Sequence, residues 1–323
     1  MPAIEQKKAE PSVLDWSRSL AAEGLDPCVT RTGHCWVRIH RVCRFRYPCN
    51  DVAEIGHPER KELFVRHRAL VISHHRLCRR EEVPNAYLYL CRNPEYDLQL
   101  LSGNTRSKIR RGLKRHTIRR ISPRDYFEDS YRCQADTRVR NGLFPQNEAD
   151  YRTSWSHPGP ESKFEYWAAY SNQGMAAYLI VAPCGKWCEI YNCGSSTMHL
   201  KDYPNHALFY SVLRDLLFER GFESVSYGLT SSQIETQAAS LHSYKLSLGF
   251  EAVPIMRFVE VTPPLRVFVN RASRAAARAA ERLLPRNIRV RKIRGVLEMM
   301  TGGVLPGLPV AALAPQIEPE SDD

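Results

Sequence analysis

Glu189 is the first residue whose type and setting suggest chemistry. It is an ionisable group inside KWCEIYNCGSS (186–196), a stretch that otherwise reads as a strand, and that makes it a general-base candidate. His206 is the second candidate. The competing reading of Glu189 is an edge-strand surface carboxylate, and both stand at this point. Close by, Pro204 is placed for the first turn of a helix, so the amides of Asn205, His206 and Ala207 suit an anion on physical grounds alone. Ten cysteines raise a metal or disulfide question. Cys28, Cys35, Cys43 and Cys49 are separated by six, seven and five residues, with His34 and His40 nearby, and Cys184, Cys188 and Cys193 by three and four. Neither set has the paired knuckles of a structural zinc site, so no metal is expected. Cysteines in strands are read as small buried hydrophobes. The His74-His75 pair at a strand end reads as an ordinary surface feature, and no G-x-S-x-G elbow is present.

The elements that must position these groups lie between 174 and 261. In GMAAYLIVAPCG, Gly174 to Gly185, both alternating faces are apolar, which predicts a central strand forming a hairpin with 186–196 through Pro183 to Gly185. Leu208, Val212, Leu213, Leu216 and Leu217 then recur at helical spacing until Gly221. VSYGLT (225–230) returns as a strand. Ser231 or Ser232 caps a helix whose stripe runs through Ile234, Ala238, Leu241, Tyr244 and Leu248, Gly249 stops it, and Ala252 to Val261 is the last strand.

Upstream, a helix is expected over 12–25, a strand-like alternation from Cys35 to Tyr47, and buried strands in ALVISHH and AYLYLC. A helix from about Tyr96 carries Leu98, Leu101, Ile109 and Leu113 inward, with Gly103 able to split it. Another begins at Pro123 and runs through Phe127, Tyr131 and Cys133. A short helix in NEADYRTSWSHP and the strand FEYWAAYS (164–171) follow.

The strand, strand, helix, strand, helix order ending in His242-Ser243-Tyr244-Lys245-Leu246-Ser247-Leu248-Gly249-Phe250 resembles the closing half of a GNAT-type acyltransferase, whose last helix ends in a pattern close to Y/F-K-x-x-x-G-F. LSGNTRSKIRRGLKRHTIRRIS (101–122) is similar to the basic helix and short strand of FemAB-like and CelD-like members. The resemblance implies an α/β fold, a GNAT-like mixed sheet flanked by helices, with two fused GNAT-like halves as one organisation. It implies N-acyl transfer from acetyl-CoA or another acyl-CoA to an amine acceptor such as an amino sugar, a cell-envelope precursor or an amino compound. It places the carbonyl donor near Tyr191 to Ser195, with Asn192 and Ser195 lining the donor site. The donor's phosphates fall over Asn205, His206 and Ala207, and Lys245 is a family marker touching phosphate or the adjacent turn. Tyr244 and Tyr227 become candidate proton donors to the leaving thiolate, although Tyr244 also falls on the apolar stripe. The Gly-rich pyrophosphate loop of ordinary GNAT enzymes is missing, and Lys201-Asp202-Tyr203-Pro204-Asn205-His206 stands in its place. FemAB-like members also lack that loop and some use aminoacyl-tRNA, so the donor stays open between the two.

Net charge is +11 in 323 residues, concentrated in Arg106 to Arg120 and Arg271 to Arg294. A negatively charged partner is the natural inference: the donor itself, tRNA, or an anionic membrane surface. A non-catalytic basic module is the competing class, but few aromatics interleave the basic runs, which speaks against a single-strand stacking platform. No run of 18 apolar residues and no N-terminal apolar h-region occur, giving an expected cytoplasmic location, with a peripheral place on the inner membrane face as the variant. The expected division is an N-terminal segment (1–33), a degenerate first GNAT-like half (34–122), a second half with the site (123–262), basic C-terminal helices (263–300) and a disordered tail (301–323). The helix after Pro264 carries an apolar seam of Phe268, Ala272, Ala275, Ala276, Ala279 and Leu283, and docking of that seam on the body is the favoured reading.

Overall fold

The computed structural model describes residues 11–39, 41–154, 158–230 and 235–301. The expectations for residues 1–10, His40, the Ser231 or Ser232 cap, Ile234 and the tail from Gly302 onward lie outside the described residues. The elements run α1 (Pro11–Ala22), β1 (Pro27–Val29), β2 (Cys35–Ile39), β3 (Cys43–Arg46), α2 (His57–Val65), β4 (Val71–Leu77), β5 (Ala86–Cys91) and α3 (Gly103–Arg115). They continue with β6 (Thr117–Ile121), α4 (Pro123–Asp129), α5 (Tyr131–Arg140), α6 (Glu148–Ser154), β7 (Glu165–Ser171), β8 (Gly174–Cys184), β9 (Trp187–Ser195) and α7 (Pro204–Arg214). The last are β10 (Ser224–Leu229), α8 (Glu235–Ser247), β11 (Glu251–Val261), α9 (Pro263–Arg266), α10 (Arg271–Leu283) and α11 (Ile288–Met300). All strands join one mixed, 11-stranded sheet in the order β1-β2-β3-β4-β11-β5-β10-β9-β8-β7-β6.

The double-sided apolar run of β8 explains the layering. Ala177, Leu179 and Val181 face the core under α7 and α3, whereas Tyr178, Ile180 and Ala182 face a second core closed by Trp16 and Leu20 of α1, Tyr126 of α4 and Cys133 of α5. A strand covered on both faces has no use for a polar alternate position. The predicted hairpin forms, with Cys184 opposite Trp187 across the turn at Gly185. The α7 stripe forms as well, with Leu208, Val212 and Leu213 fully buried, and a π-turn over Asp215–Glu219 carries Leu216 and Leu217 inward before Gly221. Strand β9, helix α7 and strand β10 make a parallel crossover unit.

Several local expectations change. Cys35 to Tyr47 is a hairpin of β2 and β3 rather than one strand, with Arg41 in the left-handed region at φ 65. Residues 98–100 form only a 3-10 turn; α3 begins at Gly103, where the Ser102 hydroxyl accepts from the Thr105 amide, and of its apolar residues Ile109 is buried while Leu113 is exposed. In α8 His242, Lys245 and Leu248 are buried, and Leu241 is exposed. The sheet also interleaves: β11, from the end of the chain's second half, lies between β4 and β5. Finally, Gly112 lets α3 lie on α7. A Cβ there would sit 2.6 Å from the Tyr203 carbonyl oxygen and 2.8 Å from the Ala207 Cβ.

Candidate functional site

The parallel ladder between β9 and β10 runs only from Ser224/Trp187 to Ser226/Glu189. Both strands continue, β9 to Ser195 and β10 to Leu229, so residues 190–195 leave that ladder while staying paired to β8 on their other side. The β8 pairing skips Tyr191, because Ile180 is opposite Asn192 and Val181 opposite Ile190. A bulge at this point bends β9 away from β10. Glu189 therefore marks the apex of a split in the middle of the sheet, and the edge-strand surface reading of this carboxylate is overturned.

Glu189 is 1% exposed. Burial pushes its carboxyl up to about pKa 7, against the lowering from Cys49, Ser226 and the charge of Lys245. Its Oε2 atom has no hydrogen-bond partner. Lys245 comes from α8 and is likewise buried. Its Nζ donates to the Tyr227 carbonyl at 3.0 Å and sits 3.9 Å from the Tyr89 ring centroid and 4.3 Å from that of Tyr227. Burial lowers its pKa to about 8, partly offset by Cys193, Cys49 and Glu189. A carboxyl raised to about 7 and an amine lowered to about 8 both titrate within the working range of most enzymes. The Cys193 thiol and the Tyr227 hydroxyl lie 3.3 Å apart across the split.

The remaining sequence candidates separate by what already holds them. Ser195 is fully engaged: its amide donates to Thr137 Oγ1 at 3.0 Å, its carbonyl accepts from Arg140 at 2.8 Å, and its hydroxyl accepts from Arg140 at 2.9 Å and Asn205 Nδ2 at 3.0 Å. These bonds tie the far end of β9 to α5 and α7. Ala207 is buried under Gly112 and its amide donates to the Tyr203 carbonyl, which leaves the amides of Asn205 and His206 as the open first-turn donors of α7. The His206 ring meets Tyr244 at 5.1 Å and Tyr203 at 5.5 Å. Burial and the nearby charge of Lys108 lower its pKa to about 4. Burial drives the Tyr244 hydroxyl far up, and that hydroxyl is buried with no partner. Asn192 and Tyr191 are exposed, the Tyr191 ring lying edge-on to Phe164 at 4.9 Å.

Beside the α7 N-terminus stands the basic face of α3. Arg111 lies 4.9 Å over the Tyr203 ring, Lys108 lies 6.0 Å from it, and Arg115 pairs with Asp202 at 3.7 Å. Two cations and two open amides thus meet at the N-terminus of α7. Sequence inspection did not pick out Gly112 as the hinge of this arrangement, though a glycine inside a basic helical run is a signal for close backbone approach. Cys49, Ser226, Thr137 and Arg140 were also missed, and their positions relative to β9 had no local signal.

No protein-family model matches the sequence, and no curated protein does. Solved structures do resemble it. FemX matches with a TM-score of 0.50 at 12% identity, over 78% of this chain and 92% of its own. The C-terminal domain assigned to a lysylphosphatidylglycerol synthetase from Agrobacterium fabrum matches with a TM-score of 0.50 at 12% identity, over 84% of this chain and 96% of its own. At that identity the likeness concerns the fold.

Proposed function

On the FemX-like, GNAT-type fold of this chain, we propose an N-acyltransferase that moves an acyl group from a thioester of CoA to an amine acceptor, with residues 34–122 and 123–262 as two fused GNAT-like halves. The observation that carries this reading is the split between β9 and β10, with a buried carboxylate at its apex whose Oε2 has no partner. Glu189 is the base that takes the amine's proton. His206 is ranked below it, because a group near pKa 4 takes a proton from an ammonium poorly. Tyr244, whose hydroxyl has no partner in the structure, is the residue assigned to protonate the leaving thiolate. The backbone of residues 191–193, out of the β10 ladder, meets the acyl carbonyl and the pantetheine. The amides of Asn205 and His206, with Lys108 and Arg111, take the donor's phosphates.

An aminoacyl-tRNA donor is the second reading, favoured by the missing Gly-rich loop and the basic α3 beside α7. The two separate in a thermal-shift and turnover experiment with acetyl-CoA, longer acyl-CoAs and charged tRNA. A ligand at 100 times its Kd stabilises by about 2.7 kcal/mol, so a CoA site gives a clear rise in Tm that persists at moderate salt. Thiol release with an amine panel then identifies the acceptor. Neither CoA binding nor thiol release, together with aminoacyl transfer from tRNA, selects the second donor. Failure of all donors removes the transferase reading.

A further inference from the structure

We propose that the α10–α11 hairpin is a docking surface for an anionic lipid bilayer. Helix α10 is turned opposite to its own hydrophobic pattern. Ala272, Ala275, Ala276, Ala279 and Leu283 of the predicted seam, and Phe268 just before it, are all exposed. The inward side carries the small, buried Ala277, and around it the contacts to α11 are polar and charged. Arg278 pairs with Glu298 at 2.8 Å, Arg294 with Glu281 and Glu298 at 2.7 Å each, and Arg274 donates to Thr301 at 3.3 Å. Arg294 and Glu298 are 3% and 2% exposed, so this ion-pair network is the interior of the hairpin. With the ion pairs satisfied there, the helix has no freedom to turn its apolar seam toward the body.

What remains outside on α10 is a strip of four alanines ending in Leu283, which is 81% exposed; Val267 and Phe268, 69% and 64% exposed, lie in the turn just before the helix, and Leu284, 52% exposed, is its C-cap. Single exposed apolar residues are ordinary, but a run of them along one helix marks an interaction face. Arg271, Arg278 and Arg282 border it along one side at helical spacing. An apolar stripe edged by arginines, on a helix too short and charged to cross a bilayer, is the pattern of a helix lying in the lipid interface. Among the described residues no helix is long and apolar enough to span. A second copy fits worse, since the antiparallel two-fold pairing of this face brings its arginines against each other and the parallel one leaves them without an acidic partner. Nucleic acid fits worse too, because phosphates match the arginines but leave the apolar strip against water. A bilayer of anionic lipid matches both, headgroups to arginines and acyl region to Phe268 and Leu283.

The test is flotation of the full chain with vesicles of mixed phosphatidylglycerol and phosphatidylcholine, against phosphatidylcholine alone, at about 0.1 M salt, a Debye length of about 10 Å. Two variants are compared, Phe268→Ser with Leu283→Ser, and Arg271→Gln with Arg282→Gln. All four positions are exposed, and unchanged thermal melting confirms that folding is retained. Binding to the anionic vesicles is expected, lowered about 25-fold by the arginine variant, roughly fivefold per charge, and about tenfold or more by the apolar variant. No flotation with anionic vesicles overturns the proposal, as does flotation that neither variant weakens. Sensitivity to the arginine variant alone, with comparable binding to RNA, makes the surface a general polyanion patch and overturns it. Concentration-dependent self-association abolished by the apolar variant, without vesicle binding, assigns the face to a second copy and also overturns it.

Discussion

Glu59 and Glu189 are both glutamates, both 1% exposed, and their carboxyls shift in opposite directions. Glu59, on α2, accepts from Thr30 Oγ1 at 3.0 Å, Trp36 Nε1 at 2.9 Å and His34 Nδ1 at 3.0 Å. Burial works to raise its pKa, but the bonds from His34 and Trp36 outweigh it and the group stays ionised below the usual carboxylate range. Glu189 has burial without that set of donors, and its Oε2 has no partner. Equal burial therefore does not mean equal role. A buried carboxylate with donors on both oxygens is held ionised, whereas one with an oxygen left bare is shifted toward its protonated form, which is the property the proposed base requires.

Glutamine at each position sharpens the contrast, and the largest effect is expected at the split. Glu189→Gln should lower kcat by about 10²- to 10⁴-fold, the usual range for losing a general base, while the melting temperature changes little. Glu59→Gln should do the reverse. Breaking a buried, hydrogen-bonded pair costs about 3 kcal/mol, so denaturant unfolding should show that loss while kcat per folded molecule holds. If Glu189→Gln keeps its rate and loses stability instead, the two carboxylates have the same role and the comparison fails.

The pH responses are next in size. The Glu59 carboxyl is depressed, so its contribution to stability is present above the ordinary unfolded value of about 4.3 and is lost as pH falls through the lower folded value. His34 is raised: burial lowers it, but Glu59 more than compensates, so its contribution is complete below about 6.5 and is lost as pH rises through the folded value. The pair is thus most stabilising between those limits. Glu189, raised to about 7, favours the folded state most below about 4.3 and loses that contribution as pH rises through 7. Activity needs the ionised base, so rate should climb through pH 7 while stability declines. Glu189→Gln should flatten that part of the stability profile. An unchanged profile in the variant would mean that Glu189 titrates elsewhere.

Much of the frame of this site was legible because periodicity reports burial. The alternation in β8, the Leu208 to Leu217 stripe and the hairpin at Gly185 all followed from residue spacing, as did the place of Glu189 inside a strand, but not its position at the apex of a split. The polar interior was not legible. In α8 the spacing of Leu241, Tyr244 and Leu248 pointed to one face, and Tyr244 and Leu248 do pack inward, yet Leu241 is exposed and the buried positions beside them are the polar His242 and Lys245. Their partners arrive from distant strands: Tyr89 of β5 bonds His242 at 2.9 Å, and the Tyr89 and Tyr227 rings sandwich the lysine ammonium. The same reason applies to α10, where ion pairs with α11 override the seam. Cys49 and Ser226 approach Glu189 only after β3 and β10 are placed in the sheet, and no local pattern announces that. Hydrophobic spacing is a property of one segment, whereas a buried charge is placed by its partners.

The smallest predicted effect, and the most specific, concerns Lys245. Its charge lowers the Glu189 carboxyl and stands last among the contributions there, so it trims rather than sets that value. Lys245→Met keeps most of the volume and removes the charge, leaving the aromatic faces of Tyr89 and Tyr227 to pack against the thioether. The pH at which the rate reaches half its maximum should move upward, because the carboxyl loses a cation that favoured its ionised form. Thermal stability should hold or rise slightly, since a buried ammonium with a lowered pKa is itself a cost to the folded state. A rate profile shifted downward would show that Glu189 is not the group being titrated. A rate lost at every pH, with the protein still folded, would instead give the ammonium a direct part in the transfer, placing it with Glu189 on the reactive side of the contrast with Glu59.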